Sequence, residues 1–287
     1  MSEQPSLDPR QARAEGSVLP VLVAQGTEHL FSRIGGQIRY GMQYLGGLSR
    51  LLWQFLQVVH RPPFGVREII SQCESIGVKS IPIALLIMFF VGIVFALQFG
   101  LTLQTMGAVP YLGKITSLSI MRELGPVFTA LVVGSRVGAG MAAEIGSMKV
   151  TEQVDAIRAL GADPVKKLVV PRVIAATLML PLVTLFADIV GILGGMMISS
   201  LQFDLSLVHF YKSAVATIHV TDFLSGYTKP FFFGFGIAFI GCFEGLTCGQ
   251  GTQGVGSATT RTVVNVAVMV VLVDFILTKT MMMLPRI

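Results

Sequence analysis

Long apolar runs separated by short polar stretches dominate this chain of 287 residues. Five of them have the length or the flanks of membrane-spanning helices, each of which needs about 20 apolar residues to cross a bilayer. They cover about residues 81–106, 115–143, 169–200, 229–248 and 262–284. The first contains no charged residue, and each of the others is interrupted by at least one. A set of runs this long and uniform predicts an all-α polytopic membrane protein with five transmembrane helices.

An amphipathic segment precedes the first run. Between about residues 40 and 60, Leu45, Leu48, Leu52 and Leu56 recur at helical spacing, with Trp53 among them. The segment is too short and too amphipathic to span, which predicts an interfacial helix on the inner leaflet. A helix packed against the spans is the alternative, and both can hold together. Residues 1–35 are polar and unpatterned, and they predict a mobile cytoplasmic tail.

A second amphipathic segment, about residues 147–161, lies between the second and third runs. Val150, Val154 and Ile157 share one helical face, and polar residues occupy the rest. Gly161 followed by Asp163 and Pro164 predicts the end of the helix, and Ser147 or Thr151 is expected to cap its start. A polar helix held between two spans suits the docking of a soluble partner. An ordinary connector resting on the membrane is the alternative.

Glycine-rich sequence marks two further places. The stretch GQGTQGVGSATTR at Gly249–Arg261 predicts a flexible or tightly turning cytoplasmic loop, with Ser257, Thr259 and Thr260 available to cap the next helix. No G-x-x-x-x-G-K-[ST] motif occurs, so the chain has no P-loop of its own. In the second run, small residues recur every four positions and predict close helix packing. They are Gly134, Gly138, Ala142 and Gly146.

Composition and charge agree with this organisation. The chain is 53% hydrophobic and only 13% charged, against roughly 25% charged in an ordinary soluble domain. The net charge of +5 matters by location, because basic residues collect before the first span and between the second and third. The positive-inside rule therefore predicts a cytoplasmic amino terminus and a carboxyl terminus on the outer face. Because these charges flank membrane segments, nucleic-acid binding has no support. The three cysteines show no metal-ligand spacing and are expected to pack.

Charged residues inside the runs are the main sign of function. On translocon scales, each central Arg, Lys or Asp costs roughly 2.5–3.5 kcal/mol. Adjacent helical residues point in different directions, so Arg122 and Glu123 are expected to pair with other spans, and Asp274, Asp188 and Lys229 are the obvious partners. One hypothesis is a polar cavity wall for a charged head group, and the other is a set of ion pairs that only locks the bundle. Pro126 adds a predicted kink that suits a gated cavity.

Several motifs together resemble a known family. They are RELGPV at Arg122–Val127, GSRVGAGMAAEIGSMKVTEQVDA at Gly134–Ala156 and GVGSATTRTVV at Gly254–Val264. Long matches in this order resemble the MlaE (YrbE-like) permeases, the membrane subunits of ABC transporters that work with MCE-domain proteins. The resemblance covers roughly Tyr40 to the end of the chain.

The resemblance implies a homodimer in the bacterial inner membrane, with a periplasmic carboxyl terminus. A separate cytoplasmic ABC ATPase would bind ATP and Mg²⁺, so this chain is expected to be a non-catalytic subunit without a cofactor, metal or catalytic site. It implies a lipid cavity open to a periplasmic ring of MCE-domain protein, phospholipid movement between inner and outer membranes, and a contribution to outer-membrane lipid asymmetry.

The family motifs also carry residue roles onto this sequence. Arg122, Glu123, Lys229 and Asp274 become candidates for contact with the lipid head group. The candidates for coupling to the ATPase are Glu144, Lys149, Val150, Glu152, Val154, Asp155, Ile157 and Arg158. Two alternatives remain open, an intramembrane lipid-modifying enzyme and a passive membrane anchor of an MCE assembly. The sequence offers the enzyme no H-E-x-x-H motif and no Ser-His-Asp constellation in the spans.

Overall fold

A computed structural model describes residues 39, 41–60, 65–217 and 219–283 of the chain. The chain divides into two compact units, Met1–Trp53 and Gln54–Ile287, and the five spans lie in the second. All regular structure in the described residues is helical. The predicted tail, residues 1–35, lies outside the described residues.

Ten α-helices account for most of the described chain. Residues 41–58 form α1. The others are α2 Val66–Ile76, α3 Ile81–Thr105, α4 Leu112–Ser119, α5 Gly125–Val150, α6 Gln153–Ala159, α7 Val170–Phe203, α8 Leu207–Thr217, α9 Val220–Leu246 and α10 Gly251–Met283.

Five stretches are long and apolar enough to cross a membrane, which confirms the predicted fold class. They are Val66–Thr105, Val109–Val150, Val165–Phe203, Val220–Leu246 and Gly251–Met283. A helix precedes them, as predicted. The helices continue past the apolar runs, because backbone hydrogen bonding does not stop where polar side chains begin. The link between the third and fourth spans also contains a helix, α8, which the sequence did not predict.

Large apolar side chains cover the outside of the spans. On α3, Leu86, Phe90 and Val94 recur every four residues and are more than half exposed. On α10, Val268, Leu272 and others form a similar row. Such continuous apolar faces would be a liability in water and suit contact with lipid chains.

The spans pack closely where glycines face backbone. A Cβ at Gly92 of α3 would lie 1.9 Å from the carbonyl oxygen of Gly191 in α7, so only glycine allows this approach. The predicted stripe of small residues on α5 is buried, and it faces the last two spans. Gly134, for example, faces Ile237 of α9 and Val266 of α10. The close packing predicted for this stripe is confirmed.

Two short π-helical turns belong to the second and third spans, the first within its span and the other at the start of its span. They are Ile120–Leu124 and Val165–Val169, and each is followed two residues later by a proline, Pro126 or Pro171. Proline has no N–H to donate to the preceding turn, so the hydrogen-bond ladder must shift register there. At the first turn the N–H of Gly125 reaches back to the carbonyl of Ile120. The expected kink at Pro126 therefore takes the form of a π turn.

The predicted helix at about 147–161 is in fact two elements. Residues up to Val150 continue α5, and α6 starts at Gln153. Between them Glu152 adopts a left-handed conformation with φ of 59°. Neither Ser147 nor Thr151 caps α6, because Ser147 lies within α5 and Thr151 directly follows it. The N-cap residue of α6 is Glu152, whose side chain makes no capping hydrogen bond. The predicted stop is confirmed: Gly161 is left-handed, and the N–H of Ala162 bonds to the carbonyl of Ile157.

The predicted loop at Gly249–Arg261 is wrong, because α10 begins at Gly251. The hydroxyls of Ser257 and Thr259 donate to carbonyls of the same helix instead of capping a later one. Gly254 is required for packing rather than for flexibility, since a Cβ there would lie 2.3 Å from the carbonyl oxygen of Gly249.

Candidate functional site

One buried face of α9 carries the centre of the site. Asp222, Gly226 and Lys229 lie at i, i+4 and i+7 and therefore line up along the helix, and all three are buried. This face packs on the π turn that carries Arg122 and Glu123. A Cβ at Gly226 would lie 2.0 Å from the carbonyl oxygen of Met121, so glycine is needed for the approach.

Lys229 is fully buried and joins three helical segments. Its ammonium donates to a carboxylate oxygen of Glu123 in the π turn and to the hydroxyl of Thr278 in α10, at 2.8 Å. Its Nζ also lies 2.9 Å from Oδ1 of Asp274, one turn before Thr278 on the same helix. Two hydrogen bonds and this ion pair therefore hold the buried ammonium among internal partners, while Oδ1 of Asp274 itself makes no hydrogen bond.

Arg122 forms a second ion pair, with Asp222 of α9. Asp222 has another role, because its Oδ2 accepts the backbone N–H of His219 at 3.3 Å and so completes a capping box at the start of α9. The Nε of Arg122 is buried and makes no hydrogen bond. We call Arg122, Glu123, Asp222, Lys229 and Asp274 the charge cluster.

The predicted pairing of the Arg-Glu motif with other spans is confirmed in part. Lys229 pairs with Glu123, as expected, whereas Asp274 pairs with Lys229 and not with Arg122 or Glu123. Asp188 is not a partner of Arg122; it is buried on α7, and its Oδ1 has no hydrogen bond.

Asp222 is the residue that sequence reasoning missed. The fourth span was predicted to begin at Lys229, so Asp222 was assigned to the preceding link. Its spacing of seven residues from Lys229, with Gly226 between them, was the available signal, because that spacing places all three on one helical face.

Exposure differs sharply within the charge cluster. The side chains of Glu123 and Arg122 are 42% and 32% exposed, whereas that of Lys229 is not exposed at all. A ligand entering beside the π turn can thus reach one carboxylate and one guanidinium. These two groups can bind an ammonium and a phosphate respectively, the two charged parts of a zwitterionic head group.

A second set of contacts fixes the segment around α6. Arg172 of α7, mostly buried, donates to Glu144 of α5 at 3.1 Å and to its own helix at the carbonyl of Leu168. Lys149 donates to the backbone carbonyl of Cys248, between α9 and α10, at 3.0 Å. The end of α5 is therefore attached both to α7 and to the α9–α10 turn.

The remaining coupling candidates lie on or beside α6. Val154 is buried, and Val150 and Ile157 are half-buried. Glu152, Asp155 and Arg158 are exposed, and the last two pair with each other at 3.0 Å. Leu160, directly after α6, is 85% exposed and was not among the predicted residues. The described residues leave this apolar side chain uncovered and thus available to a partner that contacts α6.

Glu244, which the family motifs did not explain, joins α9 to α10. Its side chain is buried, and its two carboxylate oxygens accept from Arg261 at 3.1 Å and from Asn265 at 2.9 Å. A buried carboxylate with both oxygens bonded is compatible with a structural brace.

Comparison with known proteins identifies the family. The family model described as Permease MlaE matches residues 69–280. A probable ABC transporter permease protein of Rickettsia felis is 38% identical over 83% of this chain and 92% of its own length. One of Synechocystis sp. is 42% identical over 74% of this chain and 80% of its own. The chloroplast protein TRIGALACTOSYLDIACYLGLYCEROL 1 of Arabidopsis thaliana is 38% identical over 74% of this chain and 61% of its own. The chain, a multi-pass membrane protein, belongs to the MlaE permease family.

Proposed function

We propose that this chain is the permease subunit of an ATP-driven ABC transporter that moves phospholipid. Two relatives with most of their length matched are named as probable ABC transporter permeases. A third relative carries the name of a glycerolipid. The observation that carries the proposal is the charge cluster, which is held among apolar spans and exposes Arg122 and Glu123 beside one another.

The charge cluster suits a lipid head group for a physical reason. Charged groups in a span are costly and are retained where they face a polar pathway or pair with one another. Here Lys229 is fully buried among internal partners, whereas the side chain of Glu123 is 42% exposed. A head group can therefore be recognised by the exposed charges while its acyl chains lie along the apolar surfaces of the spans.

Energy for transport is proposed to come from a separate ATPase that binds ATP and Mg²⁺ and docks in the cytoplasm on the α6 segment. Exposed Asp155 and Arg158 and the apolar Leu160 support a docking surface there. The bonds of Glu144 and Lys149 to other helices offer a route by which movement of α6 reaches the spans.

The remaining assembly is proposed on the resemblance to the family. Two copies of the chain enclose the lipid cavity in the inner membrane, with the amino terminus cytoplasmic and the carboxyl terminus periplasmic. The cavity opens to a periplasmic ring of MCE-domain protein, and the transported phospholipid contributes to the lipid asymmetry of the outer membrane. The chain itself has no catalytic role.

Lipid transfer by the reconstituted complex tests this proposal. The permease, its ATPase and its MCE protein are placed in donor vesicles, and fluorescent phospholipid is followed into acceptor vesicles with ATP or with a non-hydrolysable analogue. Transfer that needs hydrolysis supports the transporter. Equal transfer in both conditions, with an assembled complex, would instead favour a passive anchor, and a chemically altered lipid would favour an enzyme.

A further inference from the structure

Asp222 pairs with Arg122, which is the one cation of the charge cluster that a ligand can reach. We propose that Asp222 is an internal competitor for lipid phosphate: its carboxylate holds Arg122 in the resting site, and a bound phosphate must displace it. The residue thereby limits how strongly the site binds phospholipid. This inference rests on the proposed function, since it concerns the same head-group site.

The two cations of the charge cluster differ in what they can offer. Lys229 is fully buried among Glu123, Thr278 and Asp274, so a ligand cannot reach its ammonium. The side chain of Arg122 is 32% exposed, and its guanidinium pairs with Asp222. A guanidinium presents several donors in a fixed plane that fits carboxylate and phosphate in the same way. Asp222 and a lipid phosphate therefore require the same donors.

Asp222 is held in place independently of Arg122. Its side chain is only 9% exposed, and Oδ2 accepts the backbone N–H of His219 in the capping box. Because this helix cap fixes the carboxylate, Asp222 retains a partner when Arg122 turns to a ligand. Displacement then breaks one ion pair without leaving the carboxylate unbonded.

The charge balance strengthens this competition. Three carboxylates in the charge cluster face two cations, a formal excess of one negative charge. An anionic phosphate approaching Arg122 meets this excess as long as Asp222 stays in place. Removing the charge of Asp222 both frees the guanidinium and removes the excess.

Two effects must be separated by experiment, the freeing of Arg122 and the change in net charge. Asp222→Asn does both, while its amide oxygen can still cap α9. Asp274→Asn is the matched control, because it removes the same charge but leaves the Arg122–Asp222 pair intact. The purified complex of each variant is given phosphatidylglycerol or diacylglycerol with identical acyl chains, and the retained lipid is measured.

Asp222→Asn is expected to increase phosphatidylglycerol affinity by about threefold to tenfold, the net scale of one additional hydrogen bond. Diacylglycerol, which has no phosphate, should bind as it does to the original protein. Asp274→Asn should produce a clearly smaller gain, and adding Arg122→Gln to Asp222→Asn should abolish the gain. If Asp222→Asn is not recovered folded, Asp222→Ser takes its place.

Equal gains for Asp222→Asn and Asp274→Asn would overturn the inference in favour of a general charge effect. A loss of phosphatidylglycerol binding in a folded Asp222 variant would overturn it in favour of a purely structural ion pair. Both results presuppose that the original protein retains lipid. Failure of the original protein to retain either lipid would count against the proposed function itself.

Discussion

The Oδ1 atom of Asp188 lies 1.5 Å from the point where a Cβ would be at position 125, so Gly125 and Asp188 share a space that admits only one side chain. Gly125 is the glycine of the RELGP motif, directly after the first π turn. The motif therefore needs a glycine at this position, because Asp188 of another span leaves no room for a side chain. The carboxylate of Asp188 is buried there without a hydrogen bond for this oxygen.

Gly125→Ala is expected to lower the free energy of unfolding by about 2 kcal/mol, the usual scale of overpacking in a filled core. The added methyl group forces the Asp188 carboxyl into apolar surroundings. Adding Asp188→Ala should recover most of the loss. Gly140→Ala is the control, because no atom lies within 4 Å of its Cβ position. The free energy of unfolding of each variant is measured in detergent with increasing SDS. Equal values for Gly125→Ala and Gly140→Ala would contradict this account.

Gly226→Ala should damage the charge cluster more than any other small change on α9. Its Cβ would meet the backbone carbonyl of Met121 at 2.0 Å, and backbone cannot rotate away. We expect a loss of about 3 kcal/mol in unfolding free energy, together with loss of lipid binding. Gly236→Ala on the same helix meets only the flexible end of Met269 and should cost much less. A tolerated Gly226→Ala with normal lipid binding would show that the π turn need not touch α9.

The pair Glu144–Arg172 should respond unequally to loss of its members. The side chain of Glu144 is 58% exposed and that of Arg172 only 10%. Glu144→Ala therefore leaves a buried guanidinium without its carboxylate, which we expect to cost about 2 kcal/mol. Arg172→Met leaves a carboxylate that other polar groups can solvate, so it should cost less. In a double-mutant cycle, Glu144→Ala should be nearly neutral in the Arg172→Met background; additive losses would exclude coupling between the two residues.

Leu160→Asp should separate docking from folding. The side chain is 85% exposed, so the change removes no internal packing, and the melting temperature should stay the same. If α6 docks the ATPase, capture of the ATPase by the tagged permease should fall by about tenfold or more, as expected for burying a charge in an interface. Met106→Asp, another exposed position at the end of α3, is the control and should leave capture unchanged. Unaltered capture by Leu160→Asp would place the docking surface elsewhere.

The sequence predicted the five spans well because the apolar runs of a membrane protein are set by the bilayer. It also predicted one partner correctly, Lys229 for Glu123, since Lys229 was a charge available on another span. It missed Asp222 because Thr221, Ser225 and Thr228 make the first turns of α9 look polar, while a capping box at His219 starts the helix there.

Glycine was the harder residue to interpret. Gly249–Arg261 has the composition of a loop, yet most of it is helical, and Gly254 is the glycine in it that allows a close backbone contact, with Gly249. For Gly125 and Gly226 the close contact is with a distant segment and depends on which helices are neighbours. Local sequence holds little information on this, so these two glycines acquire their meaning only in three dimensions.

The π turn at Ile120–Leu124 rotates the second half of the second span relative to its first half. The turn holds one residue more than an α-helical turn, and one residue corresponds to about 100° of rotation about the helix axis. Before it, Gly113 of α4 faces Phe210 of α8; after it, Gly134 of α5 faces α9 and α10. Deleting a single residue from this turn would give a continuous α-helix, but it would rotate one half of the span by about 100° about the helix axis. The span thus behaves as two helices in series, whose angular offset decides which neighbours each half can contact.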